Sequence, residues 1–195
     1  MKYIDISRQL RNGMRVYPSD PEFVLRGHKS IKKGSSCNLG ALSLGTHTGT
    51  HIDAPRHIIE GAGPVDGIAI DKLICRALVA GIDDLKSIGF LNGTGLKRAK
   101  AILLKRGSKK ASLDLKDADM VIQGGFSLVG TEEMSIEASD DKAHPVHKRL
   151  LSKKIVIVEN LALKGVKNGF YKLFCLPLRI KDSDGAPARA VLLND

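Results

Sequence analysis

Four side chains within residues 47–57, HTGTHIDAPRH, are of types that bind metal ions: His47, His51, Asp53 and His57. On an extended backbone, side chains at positions i, i+4 and i+6 lie on one face, so the first three are predicted to converge. Two imidazoles and a carboxylate suit a hydrolytic zinc or manganese site that keeps one position open for water. The alternative is a surface turn lined by polar side chains, and the shared parity favours the metal site.

The backbone of this segment is predicted to be a strand that ends in a turn near Pro55. A helix would align His47 with His51 but would rotate Asp53 away, and glycine and proline both oppose helix formation. Gly49 is expected on the same face as the two histidines. Its missing side chain would leave room there for an ion or a substrate.

His57 lies beyond Pro55, so the parity of the strand does not extend to it. The unperturbed pKa of histidine suits a general acid or base at neutral pH, and this role is preferred for His57. A further metal ligand and a purely structural histidine are the alternatives. His57 is therefore the candidate catalytic residue.

Two other segments offer ligands for a second ion. Residues 155–158 form an unbroken apolar run, typical of a strand covered on both faces, and Glu159 follows at its carboxyl end. The segment HPVHKRLL predicts a helix that begins near Pro145, with His147 close to the face that the leucines anchor in the core. A solvated glutamate at the strand end and a histidine packed on its helix are the alternatives.

Short apolar runs bounded by Gly, Asn, Pro or charged residues predict the elements that must position these side chains. Alternating strands are predicted in YIDIS and SCNLGALSLGTHTGTHID, and buried strands in CRALVAGI, KAILLKRG, DMVIQGG, KKIVIVEN, KLFCLPLRI and ARAVLLN. Helices are predicted in VDGIAIDKL, IGFLNGTGLKRAK and HPVHKRLLSKK, and a turn-rich loop in RNGMRVYPSDPEF. Many strands and few helices indicate an α/β or α+β domain with a mixed sheet or barrel.

Composition limits the classes of function. The chain has 195 residues and a net charge of +10, but its basic residues are dispersed and aromatic residues make up only 4%. Nucleic-acid binding is therefore disfavoured, because stacking platforms are scarce. A non-catalytic module, binding metal or nucleic acid through this basic surface, is the alternative to an enzyme. No apolar run is long enough for a membrane span, no signal peptide is evident, and three scattered cysteines indicate reduced thiols in the cytoplasm.

The segment HTGTHIDAPRH resembles the HxGTHxDxPxH signature of the cyclase-like metal-dependent hydrolases, which include bacterial kynurenine formamidase and isatin hydrolase. The segments YIDISRQLRNGMRVYPSDPEF, GGFSLVGTEEMSIE, HPVHKRLLSKKIVIVENL and SDGAPARAVLL are similar to other parts of that family. The likeness spans nearly the whole chain. It implies one α/β domain over residues 1–195, of swivelling β/β/α type with a mixed, barrel-like sheet.

The resemblance also implies ligands for metal ions. His47, His51 and Asp53 would bind a first ion. Asp53 would bridge to a second ion held by His147 and Glu159, whose spacing matches the formamidase pattern. The cofactor would be one or two divalent ions per chain, with Zn²⁺ preferred and Mn²⁺ as the alternative.

The remaining implications concern the reaction and the substrate. His57 matches the catalytic histidine, and Tyr17 stands where formamidases carry an aromatic residue that frames the substrate; a packed loop tyrosine is the alternative. The family implies hydrolysis of a small amide-type molecule by a cytoplasmic homodimer or homotetramer. The substrate would be an arylformamide such as N-formylkynurenine, or a cyclic amide, imide or lactone. Thr131 and Glu132 depart from the family's GIDxxS pattern, and Ser19 replaces a glycine, which leaves the substrate open.

Overall fold

Short strands and short helices alternate along the chain, and the computed structural model describes residues 2–90, 99–108, 111–138 and 143–194. The strands are β1 (Tyr3–Asp5), β2 (Val24–Lys29), β3 (Leu39–Ser43), β4 (His51–Asp53), β5 (Ile74–Gly81), β6 (Ala101–Lys105), β7 (Leu128–Thr131), β8 (Val156–Glu159), β9 (Gly169–Pro177) and β10 (Gly185–Asn194). The α-helices are α1 (Ile70–Leu73), α2 (Leu85–Phe90), α3 (Leu115–Gln123) and α4 (Pro145–Leu151).

Within these ranges, seven strands close into a barrel in the order β10-β4-β8-β7-β6-β5-β9, with β9 pairing back to β10. The pairs β5–β6, β6–β7 and β7–β8 are parallel, and the other pairings in the barrel are antiparallel. β1 extends the sheet along β10, and β2 and β3 form a separate two-stranded ribbon. The predicted α/β fold with a mixed, barrel-like sheet is confirmed.

Side chains of the central strands alternate between two cores. In β6, Ala101 and Leu103 join the core inside the barrel, whereas Ile102 and Leu104 join the core beneath the helices. All four side chains are buried. This alternation explains the unbroken apolar runs in the sequence, because both faces of these strands are covered.

The strand predicted in DMVIQGG is wrong, since these residues belong to the end of α3. The helix begins with a capping box, in which the Asp114 carboxylate accepts from the Asp117 amide and the Asp117 carboxylate accepts from the Asp114 amide. Ala118 and Val121, three residues apart, are fully buried against the barrel. The cap lies upstream of the apolar run, so the run alone could not reveal the helix.

The three predicted helical segments have different outcomes. The segment HPVHKRLLSKK contains α4, with Pro145 at its first position as predicted. The segment VDGIAIDKL contains only a 3-10 turn at Val65–Gly67 and the four-residue α1. The segment IGFLNGTGLKRAK begins inside α2, but residues 91–98 lie outside the described residues. None of the helices in the described ranges has the length and apolar character needed to span a bilayer.

Candidate metal centre

The candidate metal centre forms where β4 lies between β8 and β10. In the antiparallel register, His51 on β4 is opposite Glu159 at the end of β8. The helix that precedes β8 brings His147 to the same edge, because its Leu150 and Leu151 are buried in the core beneath the helices. Residues more than a hundred positions apart in sequence therefore meet at one end of the barrel.

The Asp53 carboxylate lies at the middle of this cluster and is fully buried. Its Oδ1 is 2.8 Å from His47 Nδ1 and 3.3 Å from His51 Nε2. Its Oδ2 is 3.6 Å from His147 Nε2. The two oxygens of one carboxylate therefore face three different histidines.

Glu159 completes the cluster from β8. Its Oε2 lies 3.4 Å from His51 Nε2, and its Oε1 lies 3.2 Å from His147 Nε2. Oε1 also accepts a hydrogen bond of 2.6 Å from the Ile136 amide, which fixes the orientation of the carboxylate. The structure thus brings together all five side chains that the sequence predicted as ligands.

The backbone that delivers His47 differs from the prediction. Only His51–Asp53 is a strand, and the residues before it form a turn in which Gly49 has a φ of +68°. A Cβ at Gly49 would clash with Leu10 Cδ2, so Leu10 fills the space that the missing side chain frees, while Gly49 itself also lines the cavity that opens onto the cluster. The positive φ of Gly49 permits the left-handed turn that carries His47 back towards Asp53.

Two polar atoms at the centre of the cluster make no hydrogen bond within the part of the chain that the structure describes: His51 Nε2 and Asp53 Oδ2. Both are buried, and buried polar atoms are otherwise almost always paired. The ligand atoms of His51, Asp53 and Glu159 all lie within 4.8 Å of one another, as do those of His47, Asp53 and His57. Imidazole nitrogens and carboxylate oxygens are zinc and manganese ligands, so these residues fit a divalent cation.

The electrostatics of the cluster also favour a cation. Burial alone would lower the pKa of His51, but the Asp53 and Glu159 carboxylates outweigh it and raise that pKa to about 10. Burial is likewise outweighed at His147, where Asp53, Glu137 and Glu159 raise the pKa to about 12. Burial alone would raise the pKa of Asp53, but interactions with His147, His47 and His51 outweigh it and lower that pKa well below its usual value. Positive charge is therefore held among these carboxylates.

His57 and an unpredicted residue, Asp184, stand beside the cluster. The Asp184 Oδ2 atom lies 3.5 Å from His57 Nδ1 and 2.8 Å from His47 Nε2. The His57 pKa is lowered, first by burial and then by the neighbouring histidines, against the attraction of Asp53 and Asp184. Sequence reasoning missed Asp184; the only signal was an acidic residue before a glycine at the start of the last strand.

A cavity of about 190 Å³ opens onto the cluster. The loop between β1 and β2 contributes Arg15, Tyr17 and Ser19 to one wall, and His57 and His147 belong to the other. Tyr17, the predicted substrate-binding residue, therefore lies on the same cavity as the candidate catalytic histidine. The cavity has room for a small molecule only.

Comparison with known proteins identifies relatives over the full length of this fold. The model of the Cyclase family, described as "Putative cyclase", matches residues 4–138, more than half of the chain. A kynurenine formamidase from Bacillus cereus is 32% identical over 202 residues, covering 98% of this chain and 97% of the relative. A kynurenine formamidase from Salinibacter ruber is 36% identical over 209 residues, with the same coverage.

Solved structures agree with these relatives. A structure described as a potential metal-dependent hydrolase with cyclase activity superimposes with a TM-score of 0.78 at 26% identity, covering 98% of this chain and 96% of the other. Isatin hydrolase A from Labrenzia aggregata has a TM-score of 0.78 at 19% identity, covering 99% and 93%, and supports the fold alone. Fold and relatives together define a metal-dependent hydrolase, as predicted. The chain belongs to the Cyclase family.

Proposed function

We propose that this chain hydrolyses the amide bond of a small arylformamide such as N-formylkynurenine, using one or two bound Zn²⁺ or Mn²⁺ ions. The observation that carries the proposal is the convergence of buried imidazole and carboxylate atoms, two of them without partners among the described residues, beside a small cavity. The names of the relatives support a formamide substrate. Cyclic amides, imides and lactones are the other candidate substrates.

The proposed ligands divide between two positions that share Asp53. His47, His51 and Asp53 would hold the first ion, and Asp53, His147 and Glu159 the second. The directions of the Asp53 oxygens support this arrangement, because Oδ1 faces His47 and His51 while Oδ2 faces His147. A carboxylate presented in this way is suited to bridging two cations.

The chemistry of hydrolysis would be shared between the cation and His57. A bound divalent ion lowers the pKa of a coordinated water towards about 7 and polarises the substrate carbonyl. His57 takes one proton from the attacking water and returns it to the leaving nitrogen. Asp184 faces Nδ1 of His57, so Nε2 is the atom that exchanges the proton. The lowered pKa of His57 favours the neutral imidazole that this step requires.

The walls of the cavity support a small substrate that bears a carboxylate. Tyr17 would frame its aromatic ring, and the exposed Arg15 lies on the same wall. No ion pair or hydrogen bond from the Arg15 guanidinium is seen among the described residues, so its charge is available to an anion. The net charge of +10 would draw such a substrate towards the protein.

Loss of metal is expected to abolish formate release from N-formylkynurenine. The purified protein would be treated with a chelator, checked by metal analysis, and then supplied with Zn²⁺, Mn²⁺ or Mg²⁺ separately. Removal of the ion should reduce the rate at least about a hundredfold, and Zn²⁺ or Mn²⁺ should restore it. Parallel assays with isatin, formanilide and a lactone would rank the substrate classes. Undiminished turnover by protein verified to be metal-free would refute the proposal.

We further propose that residues 1–195 act as one hydrolase domain in a cytoplasmic homodimer or homotetramer, without membrane or nucleic-acid partners. The β2–β3 ribbon supports self-association: Leu25, Leu39 and Leu42 are 50%, 47% and 63% exposed. An isolated two-stranded ribbon has little stability of its own, so a second copy of the chain is the proposed cover. The unpaired thiols of the chain support a reducing compartment.

Replacement Leu42→Lys is expected to dissociate this assembly. A charge placed in an apolar interface loses its hydration without a partner, which is strongly unfavourable. Light scattering should give a multiple of 21.0 kDa for the unmodified chain and a single-chain mass for the variant. Leu178→Lys is the matched control, because Leu178 is 57% exposed and lies outside the ribbon. A wild-type mass of 21.0 kDa at micromolar concentration would contradict the proposed assembly.

A further inference from the structure

We propose that Glu137 is a positioning residue that fixes the proton of His147 on Nδ1 and thereby directs the Nε2 lone pair into the metal centre. The inference deepens the proposed function and rests on it. Glu137 lies in the loop after β7 and contacts none of the atoms that converge on Asp53. It acts only through His147, from the opposite side of the imidazole ring.

The contacts of Glu137 are those of a residue held firmly in place. Its side chain is buried, and its Oε1 lies 2.5 Å from His147 Nδ1. Its Oε2 accepts a hydrogen bond of 2.7 Å from the Val146 amide in the first turn of α4. The partly exposed His144 lies 3.2 Å from the same Oε1. The carboxylate therefore has a fixed position and a fixed direction towards the ring.

In this proposal, one ring nitrogen of His147 must carry a proton and the other must offer a lone pair to an ion. Nε2 points to the carboxylates of Asp53 and Glu159, at 3.6 and 3.2 Å, where the second ion is proposed. A neutral imidazole has one lone pair and one N–H, and an ionised carboxylate can only accept a hydrogen bond. When a cation takes the place of the Nε2 proton, Glu137 holds the remaining proton on Nδ1 and the lone pair is on Nε2.

Glu137, His144 and His147 could themselves hold a cation, since their ligand atoms also lie within 4.8 Å of one another. An ion at that position would occupy the Nδ1 lone pair of His147 and leave Nε2 protonated. Nε2 could then not bind the second ion beside Asp53 and Glu159. The two arrangements are mutually exclusive for a neutral ring, and the fully buried carboxylate of Asp53 beside Nε2 favours the central ion.

A glutamine at position 137 would reverse the preferred tautomer of His147 without changing the size of the side chain at position 137. Its single carbonyl oxygen can satisfy either the Val146 amide or His147 Nδ1, but its NH₂ group must then face the other donor. When the oxygen remains on the Val146 amide, the NH₂ group favours a His147 lone pair on Nδ1 and a proton on Nε2. That tautomer cannot bind the central ion through Nε2.

The test compares Glu137→Gln with Asp119→Asn, two variants that each remove one carboxylate beside α4. Asp119 pairs with Arg149 at 2.7 Å on the exposed side of that helix and is the matched control. Zinc affinity would be measured by competition with a chelator, and the His147 tautomer by ¹⁵N NMR of the zinc-loaded protein. Glu137→Gln should raise the zinc Kd about 10- to 100-fold and remove the Nδ1–H signal. Asp119→Asn should change neither.

The other outcomes separate this inference from the proposed function. If Glu137→Gln lowers the thermal stability but leaves the zinc Kd and the Nδ1–H signal unchanged, Glu137 only anchors α4 and the inference is wrong. If Glu137→Gln does not fold, Glu137→Asp and Glu137→Ala provide the test. A retained Nδ1–H signal in the aspartate variant, with zinc affinity weakened less than in the alanine variant, supports positioning, and equal loss in both refutes it. If the unmodified chain binds neither zinc nor manganese, the proposed function fails instead.

Discussion

Replacement of His51 by alanine is expected to abolish metal binding and hydrolysis together. His51 is almost completely buried, and its Nε2 lies 3.3 Å from Asp53 and 3.4 Å from Glu159. Without the imidazole, the proposed first ion loses a nitrogen ligand at the centre of the cluster. Because the cation contributes several kcal/mol of transition-state stabilisation, kcat/KM should fall by about 10³-fold or more. Metal analysis and formate release would be measured on the same preparation.

Two further variants make the His51 result interpretable. His28→Ala removes an exposed histidine on β2 and should leave both metal content and turnover unchanged. If the alanine variant fails to fold, His51→Gln provides the test, because it retains a polar side chain that can occupy the buried position. Full metal content in a folded His51 variant would show that the ion is bound elsewhere.

The second large effect is expected for His57→Ala, which should keep the metal and lose the reaction. His57 lies on the cavity wall, with its ring centroid 4.0 Å from that of His47 and its Nδ1 facing Asp184. General acid–base catalysis contributes about 10²- to 10⁴-fold, so kcat should fall within that range. Metal content, measured beside kcat and KM, should match the unmodified protein.

The His57 variant also decides between two roles for this residue. The ligand atoms of His47, Asp53 and His57 lie close enough together to share an ion. If the alanine variant loses metal in proportion to activity, His57 is a ligand and another group must transfer the proton. Asp184→Asn provides a graded comparison, because it keeps the size of the residue that faces Nδ1 but removes its charge. Its effect on kcat should be smaller than that of His57→Ala.

Local chemistry in the sequence was sufficient to predict which side chains converge at the candidate metal centre. The types and spacing of His47, His51 and Asp53 indicated convergence, and these side chains do meet. Part of the stated reason was wrong, since His47 lies in a turn and reaches Asp53 through the left-handed Gly49. The alternation of side chains along a strand therefore explains why His51 and Asp53 share a face. It does not explain the position of His47, which lies in the turn.

The folding of the chain brings the residues that sequence reasoning missed to the cluster. Asp184 meets His47 across 137 positions. Glu137 is only ten positions from His147, but it lies outside α4, so the helical period does not align the two side chains. No local period relates such residues. The strand wrongly predicted in DMVIQGG has a different, local origin, because the capping box that begins the helix lies upstream of the apolar run.

The position of β4 has a consequence for how the protein matures. His51 pairs with Glu159 on one side and with Pro187 of β10 on the other, so this strand gains its second neighbour only when β10 docks. On the ribosome, the HTGTHID segment emerges long before β10 is synthesised. The proposed ligands His147 and Glu159 also precede β10, so a nascent chain can complete the proposed coordination only after β8 has been made. A cation bound as proposed would join β4 to β8 and α4, so its removal should loosen the β4–β8 pairing first.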